Sequence, residues 1–314
     1  MENVALPLPR QAPVRAEAVV PTAHRRQALA LLTLLRPHHW LKNLLVIPLP
    51  LLESRIWTAA GLARTALMVV AFMLASSVIY VVNDVSDRVR DSGHPTKRLR
   101  PIASGQVSVA TAYGLVAVLV GVLLTIVAVL PPSLTWPLLA YLPLNLAYSF
   151  RLKHVPLVDA FTVAVGFVLR VLQGYLALDR PPSGWLVLSV FWACLLLSLL
   201  RRRHELGHLG AQHRPALSGY SVAFIDQIAT LSAGLTAATA LLYLATDAPI
   251  EQYRSAGMVL LGPVTVFALF RYLQLVSVGD GGGSAVRTLL RDAPMVVCGA
   301  AWAVTLLALV LASG

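Results

Sequence analysis

The chain has 314 residues, 57% of them hydrophobic and only 12% charged, with a formal net charge of +11. Soluble domains carry about twice that share of charge, so a mean hydropathy of +0.74 excludes an ordinary water-soluble core and indicates a polytopic helical membrane protein. The cationic excess is then a matter of membrane topology, with no nucleic-acid partner, and Cys194 and Cys298, both in apolar runs, exclude a disulfide or zinc framework.

Residues 1–35 hold neither a long apolar core nor a convincing cleavage site, so no signal peptide is expected. This tail, with Pro, Ala and several Arg, reads as a mobile cytosolic arm ahead of one membrane domain, residues 36–314. About nine apolar spans follow, at roughly 40–56, 62–83, 109–130, 133–150, 156–178, 184–200, 222–245, 255–276 and 293–312. The first is short and broken by Pro48 and Pro50, which suits a segment lying partly in the interface. Turn and charge punctuation divides the rest, as at Pro131-Pro132, Asp179 to Gly184 and Gly279 to Asp292.

Orientation follows from Lys and Arg. With the N-terminus inside, the inner segments hold twenty, from Arg10 to Arg291, whereas the outer segments hold only Arg55, Arg64, Arg180 and Arg254. One missed span would invert every later loop, so this asymmetry supports the count. All eight histidines and all three lysines fall on the inner side, which places any chemistry at the cytosolic face of an inner (plasma) membrane protein.

The strongest signal follows the second apolar run: Asn83-Asp84-x-x-Asp87-x-x-x-Asp91. On a helix these four residues can share one face. Like charges at that spacing oppose helix formation, more so near a C-terminus of the kind Gly93 and Pro95 suggest. Something positive should therefore be bound there. Mg2+ suits an all-oxygen set and commonly bridges to phosphate, and Lys97, Arg98 and Arg100 add direct phosphate donors. Such a site serves a leaving diphosphate equally well on a sugar or on a prenyl chain, so the acids do not choose the substrate.

The Asn-Asp-x-x-Asp-x-x-x-Asp pattern resembles the first metal-diphosphate motif of the UbiA superfamily of intramembrane prenyltransferases. Its continuation, His94-Pro-Thr-Lys-Arg-Leu-Arg-Pro-Ile-Ala-Ser-Gly105, is similar to that of the decaprenyl-phosphate phosphoribosyltransferase branch. Upstream, Arg36-Pro-His-His-Trp-Leu-Lys42-Asn43 resembles that branch's opening motif. Tyr148-Ser-Phe-Arg-Leu-Lys153-His154, with Asp159 and Gly166 to Arg170, resembles its second. Typical aromatic prenyltransferases carry a second acid-rich motif with two Asp, whereas this region has Asp159 alone, joined by Lys153 and Arg170. The resemblance covers about residues 34–312 and weakens toward the C-terminus, at Arg202-Arg203-His-Glu205, Tyr220-Ser221 and Arg291-Asp292.

The resemblance implies an all-α, UbiA-like bundle with a cytosol-facing active-site cavity. It implies Mg2+ held by Asn83, Asp84, Asp87 and Asp91, and transfer of a 5-phosphoribosyl group from phosphoribosyl diphosphate to a polyprenyl phosphate, with diphosphate released. Asp84, Asp87, Asp159 and Lys153 would then be the catalytic set. Lys42, Asn83, Lys97, Arg98, Arg100, Tyr148, Arg170, Arg202 and Glu205 would bind substrate. The alternative is prenyl transfer from a polyprenyl diphosphate to an aromatic or other acceptor. Homo-oligomerisation is left open.

Several residues keep two readings. Asp159 would complete the metal site, orient Lys153, or act on the acceptor. Arg170 lies eleven residues further, about 16 Å deeper at ~1.5 Å per residue, and is either a functional cation or the partner of a buried acid. Asp226 and Asp292 begin apolar runs and suit structural roles at helix N-termini. His204-Glu205-Leu-Gly-His208 fits the zinc-hydrolase pattern. It follows Arg201-Arg202-Arg203 directly, which opposes a bound dication, and Gly207 and Gly210 weaken the helix it needs.

Overall fold

The computed structural model describes residues 23–47, 57–209, 215–278 and 285–313, and every regular element among them is helical. In order these are α1 (Ala23–Leu35), a 3-10 segment (Pro37–Val46), α2 (Ala59–Ser86), α3 (Arg88–Ser92), α4 (Val109–Ala128), α5 (Pro132–Phe150), α6 (Val158–Ala177), α7 (Gly184–Leu209), α8 (Val222–Thr246), α9 (Arg254–Val278), α10 (Ala285–Arg291) and α11 (Ala293–Ser313). Short 3-10 turns at Lys97–Leu99, Leu152–His154, Pro215–Gly219 and Glu251–Tyr253 join them.

Helix starts follow local chemistry. Thr58, Ser108 and Ser221 each accept a backbone N–H three residues on, from Gly61, Thr111 and Phe224, and so open α2, α4 and α8. α5 begins instead at Pro132, which has no N–H to leave unpaired. Consecutive helices then pack as neighbours, α5 on α6, α6 on α7, α7 on α8 and α8 on α9, as short connections require. α2 and α6 are the most buried, whereas α4 and α11 expose most of their apolar surface, as lipid-facing helices do. The largest core cluster joins α2 to α4, α5 and α6 around Phe72, Met68, Leu138 and Tyr141.

Among the described residues seven helices are long and apolar enough to cross a membrane: α2, α4, α6, α7, α8, α9 and α11. Nine were expected, and the other two runs differ from these seven in identifiable ways. α5 occupies the run at 133–150 but contains Pro137, Pro143 and Asn145, and is less apolar than the seven. The first run, 40–56, begins as a 3-10 segment that turns Asn43 and Val46 inward while Leu41, Lys42, Leu44 and Leu45 stay exposed; residues 48–56 lie outside the described ones. The N-terminal arm also differs from expectation. Residues 1–22 lie outside the described ones, but residues 23–35 form α1, whose Ala30 and Leu34 are buried against Val81, Ile102, Val107 and Ala112.

Candidate active site

α2 ends at the acid motif. Asp87 leaves helical geometry at φ −89°, ψ 0°, yet the i to i+4 backbone bonds run on from Asp87 N–H to Asn83 and from Asp91 N–H to Asp87. The four motif residues divide into two pairs held by different cations. Asp84 and Asp91, seven residues apart and both buried, take one nitrogen of Arg100, with Nη1 donating at 3.0 Å to Asp84 and 2.6 Å to Asp91. Asn83 and Asp87, four apart, take Lys153, whose Nζ donates at 3.4 Å to Asn83 and at 3.2 and 3.3 Å to the Asp87 carboxylate. Arg36 adds a third clamp, Nη2 to Asp84 at 2.6 Å, from a left-handed residue (φ 51°) at the start of the 3-10 segment, and lies over the Tyr80 ring.

This arrangement answers the charge problem of the sequence with protein cations. Among the described residues no three His, Cys, Asp or Glu side chains converge as a metal cage. Arg100 Nη1 stands between Asp84 and Asp91, where a bridging cation would stand. Lys97 and Arg98, expected beside Arg100, are exposed and make no ion pair among the described residues.

The second motif is divided in the same way. Lys153, on the turn before α6, reaches the acids, but Asp159, in the first turn of α6, is fully buried. One Asp159 oxygen accepts from Arg202 Nε at 2.7 Å and the other from the Tyr220 hydroxyl at 2.8 Å. That hydroxyl accepts in turn from the Leu157 N–H at 2.7 Å. Leu157 is the centre of a γ-turn (φ 64°, ψ −49°, with Val158 N–H to Pro156 C=O at 2.8 Å), a strained conformation for a residue with a side chain. Gly219 completes the contact, since a Cβ there would strike the Pro156 ring. Asp159 therefore fastens the 215–221 turn onto the entry of α6. Burial and the Asp159 hydrogen bond raise the Tyr220 hydroxyl pKa well above its usual value, so it stays a donor.

Arg202 also donates to Glu205 at 2.5 Å, and Arg201 does so at 3.1 Å. Glu205 is thus gripped by its own helix turn, while the His208 side chain and His213 lie outside the described residues. Tyr148 is half-buried at the end of α5, near Arg202. Asp226 pairs with Arg203 at 2.6 Å. Asp292 caps α11 through the Met295 N–H and holds Arg271, whose bond keeps the Asp292 carboxyl below its usual pKa. Both are structural contacts.

Among the described residues Arg170 has no buried acid to pair with. Its guanidinium is enclosed by neutral acceptors: Asn43 Oδ1 at 2.8 Å, the Gly166 carbonyl at 2.7 Å, the Tyr141 hydroxyl at 2.9 Å and Ser76 Oγ at 3.3 Å. It also lies over the rings of Phe72, Tyr141 and Phe167. Arg170 lies within α6, and its network adds Ser76 and Tyr141, which sequence reasoning missed; polar side chains within apolar runs are the available signal for a buried network.

Residues 46–291 match the UbiA prenyltransferase family. The chain belongs to that family. It is 32% identical over 279 residues to the decaprenyl-phosphate phosphoribosyltransferase of Corynebacterium glutamicum, covering 85% of this chain and 82% of that one. With the Mycolicibacterium smegmatis protein of the same name it shares 36% over 229 residues, covering 69% and 71%. The fold is that of a UbiA homologue from Archaeoglobus fulgidus solved with DMAPP and Mg2+, with a TM-score of 0.68, 16% identity, and 90% of this chain matched to 99% of that one. The protein is thus an integral membrane transferase of the UbiA type.

Proposed function

We propose that this UbiA protein transfers a 5-phosphoribosyl group from phosphoribosyl diphosphate to a polyprenyl phosphate, releasing diphosphate, at the cytosolic face of the inner membrane. The observation that carries the reading is the division of the α2 acids between Arg100 and Lys153. Three acids, Asp84, Asp87 and Asp91, and three cations, Arg36, Arg100 and Lys153, already neutralise one another, so a metal-bound diphosphate can enter by partner exchange without leaving buried charge bare. The relatives named for phosphoribosyl transfer supply the donor.

The donor set fits Mg2+. Asp84, Asp87 and Asp91 offer carboxylate oxygens and Asn83 an amide oxygen, the hard ligands that this ion prefers. When bound, the ion supplies charge neutralisation at the departing diphosphate. The chain's own groups do the rest. Arg100 and Lys153, released from their carboxylates, are placed to donate to phosphate oxygens. Exposed Lys97 and Arg98 form the outer cationic rim of the same turn. The acceptor phosphate is already anionic, so the reaction needs no general base, and no side chain is assigned that role. Asp159 serves as a positioning residue that holds Lys153's turn against the 215–221 turn. The cytosolic orientation rests on the distribution of Lys and Arg.

The test is donor dependence. Membranes containing the protein, Mg2+, a polyprenyl phosphate and ribose-labelled phosphoribosyl diphosphate are expected to yield a labelled lipid. Turnover of a prenyl diphosphate with an aromatic acceptor, and no labelled lipid, would overturn the proposal in favour of prenyl transfer.

A further inference from the structure

Arg170 places a positive charge inside the bundle with no carboxylate within ion-pairing distance among the described residues. Its contact Ser76 lies eight residues before Asp84 on α2, about 12 Å deeper at ~1.5 Å per residue. Neutral acceptors satisfy N–H groups without cancelling charge, and an uncompensated ion in a low-dielectric interior is costly. A second feature adjoins it. Asn43 is fully buried, and while its Oδ1 accepts from Arg170 and Ser76, its Nδ2 has no hydrogen-bond partner among the described residues. A buried amide without an acceptor is rare in folded proteins. An unneutralised guanidinium and an unused donor therefore occupy the same place.

We infer that Arg170, Asn43 and the neighbouring Lys42 form a second anion seat, separate from the acid motif and needing no metal, that takes one phosphate monoester. The seat deepens the proposed transfer, since it concerns which phosphate the protein holds besides the departing diphosphate. Lys42 supports the placement. It is solvent-exposed yet crowded by protein, and this desolvation, with Arg201 and Arg170, pushes its pKa down. An anion beside it would relieve that repulsion. Two sources of the phosphate share this chemistry: the headgroup of the lipid acceptor, and the 5-phosphate of the ribosyl donor.

The experiment is calorimetric titration of the full-length protein in zwitterionic nanodiscs with EDTA present. Farnesyl phosphate, against farnesol as a tail control, reports the lipid source, and ribose 5-phosphate reports the donor source. One phosphate should bind without Mg2+, and Arg170→Gln should weaken it at least tenfold. Asn43→Asp provides the independent check. It gives Arg170 a permanent counter-ion and removes the unused donor, so it should raise Tm while abolishing phosphate binding. The inference fails if the wild-type protein binds neither phosphate, or if folded Asn43→Asp or Arg170→Gln binds as the wild type does. Ribosyl-lipid synthesis with unchanged binding by the variants would sink the seat alone. Metal-free binding through Arg170 without ribosyl-lipid synthesis would sink the proposed transfer alone.

Discussion

Arg100 and Lys153 contact acids of the same motif with different consequences. Asp84 and Asp91 are almost fully buried beneath Arg100, whereas Asp87 and Lys153 keep some exposure. Arg100→Met should therefore cost stability as well as a phosphate contact. It leaves Asp91 without the cation that pairs with it, and the expected loss is about 3 kcal/mol, the low end for a broken buried pair, because Arg36 still reaches Asp84. Denaturant or thermal unfolding in detergent measures it. Asp87→Asn keeps the shape and should instead lower kcat roughly 100-fold, the scale of a lost electrostatic contact to the reacting charge, with Tm nearly unchanged. Steady-state kinetics separates the two. His39 supplies a pH prediction. Burial, with Lys42, His38, Arg36 and Arg201 nearby, lowers its pKa from 6.5 to about 4. Between those values the unfolded chain binds the proton and the folded chain does not, so stability falls as pH drops through that window. His39→Gln should flatten the decline in Tm between pH 6.5 and pH 4.

At the scale of elements, the entry of α6 and the 215–221 turn behave as one unit because Asp159, Tyr220, Leu157 and Gly219 interlock. Tyr220→Phe removes a hydrogen bond to a buried carboxylate, an expected cost of about 1.5–3 kcal/mol, and also the acceptor of the Leu157 N–H. Gly219→Ala should separate the two turns through its collision with Pro156 and increase hydrogen exchange at residues 215–221. If Asp159 touched substrate instead, Tyr220→Phe would change KM without changing exchange. Most elements were legible because the helix signals are local: apolar runs long enough to cross, Ser or Thr caps, and Pro and Gly at the breaks. The 3-10 segment was not legible, since Leu41, Leu44 and Leu45 read as a span until Asn43 is seen to turn inward. The site was half legible. The acids and lysines stood out by type and spacing, but the division between Arg100 and Lys153 depends on two loops meeting α2, and Asp159's partners lie 43 and 61 residues away. No sequence period reports such contacts.

For the whole molecule, two highly buried helices, α2 and α6, carry the acid motif, Asp159 and Arg170, while lipid-facing helices surround them. The proposed orientation places the α3 turn in the cytosol. A lone cysteine at Arg98, in a chain lacking Cys194 and Cys298, should react with an impermeant maleimide in inverted vesicles and not in right-side-out ones. The reverse pattern would put the site on the outer face. The central claim is the identity of the group transferred, and product stoichiometry measures it most directly. The purified protein in nanodiscs receives Mg2+, ribose-labelled phosphoribosyl diphosphate and a polyprenyl phosphate labelled on phosphorus. The account predicts one lipid carrying both labels and one diphosphate released per lipid formed. Diphosphate released without a doubly labelled lipid, or released only when a prenyl diphosphate is the substrate, would contradict it.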